Sequence, residues 1–141
     1  WEDPPASYDN RFYWDASTPK ALDDVNEVDK DGKAIISPIT KKQVVTLGLK
    51  SQWKATIKQQ AAGLLAPTDW YVTRKAEDST ATTPSDVTTY RAAVRTKSGQ
   101  IETAITNASD HAAFMALFDV PVDSEGKPTG NAPINDWPDE L

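Results

Sequence analysis

The sequence has no cysteine and a single histidine, His111, so it can form neither a disulfide nor a thiolate site. No apolar run approaches the ~20 residues of a membrane-spanning helix, and no signal-peptide pattern is present. The chain begins at Trp1 rather than Met, which indicates processing or missing residues at that end. These absences exclude a disulfide-stapled domain and a membrane protein, and they are compatible with a cytoplasmic location.

Apolar residues are also scarce for a compact protein, at 38% of the chain with a mean hydropathy of −0.57. The 141 residues fit one domain with an extra arm. Five tryptophans nevertheless argue against a disordered chain, since disordered segments are usually poor in aromatic residues. We therefore expect a modest core with extended segments that lie against a partner.

The charges are distributed unevenly along the chain. Residues 1–48 hold six basic and nine acidic side chains, residues 49–97 hold eight and four, and residues 98–141 hold one and eight. Either the acidic end folds back beside the basic middle, or one of the two docks on a partner of opposite charge. Nucleic acid is not an expected partner, because the basic stretch is short and interrupted and the pI is about 4.7.

The first segment, residues 1–48, is predicted to be an extended arm followed by a small β segment. The proline-rich start at 1–10 is typical of an extended arm. Three successive aromatic residues at 11–14 favour a short strand. Asp31-Gly32 supplies the turn of a hairpin whose return strand is 34–36.

The second segment, residues 49–118, is predicted to be helical, which makes the protein α+β with a helical hairpin. Apolar residues at steps of three and four predict helices over 49–65 and 86–107, with Ser85 as N-cap of the second. Gly99 predicts a kink or break in that helix. Ser109-Asp110 is expected to cap a short third helix that ends before Pro121. The expected apolar stripes are Leu49, Trp53, Ile57, Gln60 or Ala61, and Leu64 in the first helix, and Val87, Tyr90, Val94, Ile101, Ala104, Ile105 and Ala108 in the second.

The third segment, residues 119–141, is predicted to be an extended acidic tail without a helix. It has six acidic side chains and one lysine, too little apolar surface to order itself alone. Ile134 and Trp137 are the expected anchors of this tail on another surface. Three such surfaces remain open: a partner, a neighbouring copy, or the basic middle of this chain. The candidate cations of that middle are Lys54, Lys58, Arg91 and Arg95.

The sequence contains no complete metal-binding or catalytic motif. The stretches 28–33, VDKDGK, and 122–127, VDSEGK, resemble the start of a calcium loop. Such a loop needs Glu at its twelfth position, which is Thr40 in one case and Ile134 in the other. We therefore interpret both as turns, and expect no metal, no cofactor and no enzymatic activity.

Trp70 and Tyr71 directly follow the helix end marked by Pro67. They either close over that end with Leu64 and Leu65 or present a surface to a partner. Three other tryptophans, Trp1, Trp14 and Trp137, lie in segments with little neighbouring apolar sequence. A tryptophan in such a segment often anchors a protein in a pocket of its partner.

The stretches LLAPTDWYV and TTYRAAVR resemble the tail-assembly chaperones and tail-fibre-associated proteins of tailed bacteriophages. The matching positions are Leu64, Leu65, Thr68, Asp69, Trp70, Tyr90, Arg91 and Arg95. The resemblance covers about residues 50–97, and the start of the chain also looks like the β-rich start of fibre-associated proteins. It implies a non-enzymatic protein that binds a fibre or tail polypeptide, in the virion tail or in the host cytoplasm during assembly.

The alternative is an unrelated small structural or adaptor protein of the virion tail, and self-association is possible in either case. The candidate partner-binding residues are Trp70, Tyr71, Arg91, Arg95, Ile134 and Trp137.

Overall fold

The structure is a computed structural model that describes residues 8–141. Most of the arm expected at 1–10, including Trp1, lies outside the described residues. Small antiparallel hairpins precede a helical region, which confirms the predicted α+β class. The chain forms two compact units, Trp1–Trp53 and Lys54–Leu141.

The first hairpin pairs β1, Tyr13–Asp15, with β2, Thr18–Pro19. The strand predicted at 11–14 therefore begins two residues later. The amide groups of Phe12 and Tyr13 both donate to the carbonyl of Asp9, at 3.0 Å each, which keeps the preceding residues in a turn. β2 was expected to be loop, because two residues are too few to produce an alternating pattern.

The rest of the β segment consists of three short extended stretches that pair with one another. β3, Val25–Asn26, pairs with β4, Val45–Thr46, and single bridges join Val28 to Ala34 and Ile36 to Gln43. The predicted turn at Asp31-Gly32 is confirmed, since Gly32 has a φ of 80° that favours glycine.

The same turn occurs in the tail, around Gly126 with a φ of 82°. In the first turn, Asp29 Oδ1 accepts the amides two and four residues later, at 2.8 and 3.0 Å. In the second, Asp123 Oδ1 accepts the corresponding amides at the same two distances. The repeated aspartate thus fixes a tight turn in each copy, which confirms the interpretation of both stretches as turns.

The helix α1 occupies Leu49–Leu65, the predicted bounds. Its first amides are held by the preceding loop: Leu49 and Lys50 donate to the carbonyls of Ala21 and Leu22, at 2.9 and 3.1 Å. The Asp24 carboxylate accepts the amide of Gly48 at 2.9 Å. These contacts satisfy donors that a helix start otherwise leaves unpaired.

After a 3₁₀ turn at Ala66–Thr68, a second helix α2 runs over Asp69–Glu77. The sequence patterns place Trp70 and Tyr71 just past the end of α1 and do not predict that a separate helix begins there. Pro67 falls in the first turn of a new helical stretch, where its missing amide costs nothing. An acidic residue in the first turn of α2 and basic residues in its last turn match the helix dipole, and this was the signal for α2.

The longest helix, α3, is continuous over Ser85–Asn107. Its N-cap is Pro84, so the prediction of Ser85 as the cap is wrong by one position. The predicted break at Gly99 is also absent. Burial of Val94 and Ile101 on either side offsets the cost of about 1 kcal/mol that glycine imposes on a helix.

The short helix α4 spans His111–Ala116, and the Asp110 carboxylate accepts the Ala113 amide at 2.7 Å. The predicted cap is therefore confirmed.

The core of the second unit contains Ile57, Ala61, Val87, Tyr90, Val94, Ile101, Ile105, Ala108, Phe114, Ala132 and Ile134. The tail is extended except for one 3₁₀ turn at Pro133–Asn135, which corrects the expectation that no helical turn fits there. The Ile134 amide donates to the Leu117 carbonyl at 3.0 Å in that turn.

Candidate partner-binding site

The Arg91 side chain holds the junction between α1 and α2 against α3. Its Nη1 donates to the Leu65 carbonyl, to Thr68 Oγ1 and to Asp69 Oδ1, each at 2.9 Å. The guanidinium side chain is only 12% exposed. Thr68 Oγ1 also donates to the Leu65 carbonyl at 3.0 Å. Because one cation engages three acceptors, the orientation of α2 is set by a residue of α3.

The helix α2 carries the aromatic platform, which we define as Trp70 and Tyr71 from its first turn and Arg74 from its last turn. The two rings stack with centroids 3.7 Å apart and planes at 27°. The Arg74 guanidinium carbon lies 4.9 Å from the Trp70 centroid and 5.4 Å from the Tyr71 centroid, within cation–π range. Arg74 Nη2 also donates to the Thr82 carbonyl at 2.8 Å, so the loop before α3 fixes the cation.

Trp70 is 51% exposed, and Tyr71 is half-buried. The interpretation that Trp70 closes over the end of α1 is therefore wrong. Leu64 and Leu65 instead pack on the cluster formed by Ala61, Tyr90 and Val94. The remaining alternative for Trp70, a surface for a partner, stays a prediction.

A groove of about 390 Å³ lies between α2 and α3. We call it the α2–α3 groove; it is lined by Val72, Lys75 and Ala76 from α2, by Arg91 and Arg95 from α3, and by two threonines. Residues of a helix advance by about 100° each, which places Val72 about 200° from Trp70 around the axis of α2. The groove and the exposed Trp70 ring are therefore separate surfaces of the same helix.

The tail residues Ile134 and Trp137 lie on the helices of their own unit. Ile134 is 7% exposed. Trp137 packs on the cluster around Tyr90, and its Nε1 donates to Gln60 Oε1 at 3.1 Å. Their predicted role in binding a partner stays a prediction, but in this conformation both contact this chain.

The cation that pairs with the tail was missed by sequence reasoning. Lys97 Nζ lies 2.9 Å from Asp136 Oδ2. Within residues 8–141, none of the four anticipated lysines and arginines pairs with a tail carboxylate; Lys58, for instance, lies 3.6 Å from Glu102. Lys97 follows Val94 by three positions and so shares its helix face, which was the available signal.

Hydrogen bonds donated to four aspartates account for the lowered carboxyl pKa values in residues 8–141. The pKa of Asp78, after α2, is lowered by the Thr80 hydroxyl and then by the Thr80 amide, at 2.6 and 3.0 Å. The Arg11 guanidinium lowers the pKa of Asp9, and the backbone amides of Ser17 and Gly48 lower the pKa of Asp15 and of Asp24. A lowered pKa keeps each group ionised and suits a turn-forming acceptor rather than a general acid.

In the described part of the chain, no three His, Asp or Glu side chains lie close enough together to hold a metal ion. Among its helices, none combines the length and apolar character needed to cross a bilayer. Both statements concern residues 8–141 alone.

The positions that carry the family resemblance are brought together by the fold. Leu64, Leu65 and Tyr90 belong to one apolar cluster. The Leu65 carbonyl, Thr68 and Asp69 accept hydrogen bonds from Arg91, while Trp70 lies in the first turn of α2 and is half exposed. No protein-family model, no curated protein and no solved structure matches this chain.

Proposed function

We propose that the protein is a non-enzymatic accessory protein of a bacteriophage tail, which binds a fibre or tail polypeptide during assembly or in the finished virion. The observation that carries this proposal is the aromatic platform, with its half-exposed tryptophan and stacked arginine. Tryptophan, tyrosine and arginine are the residues that contribute most often to the binding energy of protein interfaces. The resemblance of the surrounding stretch to phage tail-assembly proteins supplies the class of partner.

The platform is held in place before any partner arrives. Arg91 fixes the start of α2, and the Thr82 carbonyl fixes Arg74. Binding through fixed side chains loses less conformational entropy than binding through mobile ones. A protein that acts by association alone benefits from such preorganisation.

The electrostatics support binding rather than catalysis. The described carboxyl groups with displaced pKa values are exposed or partly exposed, and their pKa values are lowered. A carboxyl group that donates a proton near neutral pH needs the opposite shift, which burial produces.

A second candidate function, a structural or adaptor protein retained in the virion tail, is favoured by the first unit. Its β segment leaves Trp14, Ile36 and Ile39 66%, 52% and 89% exposed. Exposed apolar side chains in such number are typical of a surface that is covered in an assembly.

Quantitative mass spectrometry separates these functions. The chain is measured in purified phage particles and in tail or fibre intermediates isolated from the producing cells. An assembly factor is found in the intermediates and is depleted from the particles, whereas a structural component is found in both at a fixed copy ratio. Absence from both fractions would contradict the proposed function.

A further inference from the structure

The α2–α3 groove combines apolar and cationic side chains. Val72 and Ala76 provide apolar contacts, and Val72 is 52% exposed. The cations Lys75, Arg91 and Arg95 line the same groove. Such a combination fits a ligand that carries both carboxylates and an apolar side chain.

Two of the three cations are not neutralised by a carboxylate. Arg91 is paired with Asp69 at 2.9 Å. No carboxylate of residues 8–141 lies within ion-pair distance of Lys75 or Arg95. Lys75 Nζ donates to the Ser79 carbonyl at 2.5 Å, which holds the ammonium beside the groove without cancelling its charge.

The acidic tail of the same chain does not fill the groove. Its last residues, Glu140 and Leu141, line a different cavity of about 170 Å³ beside Gly63 and Tyr90. The carboxylate of Asp136 is paired with Lys97. These tail residues therefore lie at other places in the unit, and no residue of 119–141 lines the groove.

We propose that the α2–α3 groove binds an acidic segment of a partner polypeptide, with an apolar side chain against Val72 and carboxylates beside Lys75 and Arg95. Charge complementarity carries the assignment, because these cations are uncompensated. The assignment rests on the proposed function only for the identity of the partner as a tail or fibre protein.

A peptide fits the groove better than a nucleic acid does. The chain as a whole has a net charge of −6, which repels a polyanion at long range. A short segment with a few carboxylates and an apolar side chain meets a smaller electrostatic penalty and gains the apolar contact.

The test measures binding of a fluorescein-labelled peptide, Glu-Asp-Leu-Glu-Asp-Leu-Glu-Asp, by fluorescence anisotropy. The groove variant is Lys75→Glu with Arg95→Glu. The matched control is Lys58→Glu with Lys127→Glu, which changes the net charge equally at exposed lysines outside the groove. If circular dichroism shows that the groove variant is unfolded, it is replaced by Lys75→Gln with Arg95→Gln, in which both side chains are neutral.

The proposal predicts that wild type and control bind the peptide alike, and that the groove variant binds at least about tenfold more weakly. Replacing both leucines of the peptide by serine should weaken binding to the wild type. Raising NaCl from about 50 to 300 mM should separately weaken binding of the original peptide. No binding at about 1 mM peptide, or equal loss in the groove variant and the control, would overturn it.

Two further outcomes would assign the groove differently and so also overturn the proposal. A short oligothymidylate that binds the groove more tightly than the peptide would indicate nucleic acid. Self-association that is lost only in the groove variant, measured by sedimentation velocity, would indicate a second copy of this chain. Peptide binding that depends on the groove, in a protein absent from phage tail fractions, would refute the proposed function but leave the groove assignment intact.

Discussion

Replacing Arg91 by methionine removes one guanidinium from three acceptors while keeping much of the side-chain volume. Its interaction with Asp69 is worth only about 0–1 kcal/mol, because that carboxylate is 60% exposed. The bonds to the Leu65 carbonyl and to Thr68 Oγ1 are charge-assisted and shielded, and such bonds contribute about 1.5–3 kcal/mol each.

The total is less than the sum of these values. The Leu65 carbonyl keeps the hydrogen bond from the Thr68 hydroxyl, so it is not left unpaired. We therefore expect Arg91→Met to lower the free energy of unfolding by about 2–4 kcal/mol. Arg95→Met is the control, since Arg95 is exposed and makes no ion pair within residues 8–141, and it should change stability by less than about 0.5 kcal/mol.

Urea denaturation followed by circular dichroism at 222 nm measures both variants. A loss below about 0.5 kcal/mol for Arg91→Met, or equal losses for the two variants, would refute the role of Arg91 in holding α2. Fluorescence of Trp70 provides a second readout, because release of α2 changes the surroundings of its ring.

Three further predictions concern other parts of the chain. Gly48→Ala should lower the free energy of unfolding by about 1–3 kcal/mol, because its new methyl would overlap backbone atoms of the preceding loop; Gly63→Ala, which meets nothing within 4 Å, should instead raise it by about 0.5–1 kcal/mol in the same denaturation experiment. The Gly48 amide and then the Ser51 hydroxyl lower the pKa of Asp24, so the ionised carboxylate stabilises the fold above the ordinary pKa of 3.8, and this stabilisation is lost as pH falls through the lowered pKa. The difference in unfolding free energy between wild type and Asp24→Asn should therefore vanish in acid. A difference that does not depend on pH would contradict this. Trp137→Ala should cost about 1–3 kcal/mol, since the ring is partly buried, and should speed amide hydrogen exchange in residues 131–141; unchanged exchange would contradict its role in holding the tail.

The long helices could be predicted from the sequence, whereas α2 could not be separated from its surroundings. The stripe ending at Leu64 and the stop at Pro67 give the bounds of α1, and the heptad steps from Val87 give α3. The nine residues of α2 are too short for a convincing period, and the proline two residues before its start indicated only the end of α1. Gly99 suggested a break because local propensity does not contain the tertiary contacts that keep α3 continuous.

The candidate site shows the same division between local and long-range information. Trp70 and Arg91 could be selected from residue type and position. Their arrangement could not, because Arg91 reaches acceptors 22 to 26 positions earlier in the chain. Likewise, the block of positive charge predicted a basic surface for the tail, but only the packed orientation of α3 decides that Lys97 meets Asp136.

Affinity capture of the tagged chain from cells producing phage tests the central claim most directly. The wild type is compared with Trp70→Ala plus Tyr71→Ala and, as a control with an exposed apolar residue outside the platform, with Val122→Ala. The proposed function predicts that an identified tail or fibre polypeptide copurifies with the wild type and with the control, and that the double variant recovers less than about a tenth as much. Equal recovery by the double variant would contradict binding through the aromatic platform, and recovery of no tail or fibre polypeptide by any form would contradict the function itself.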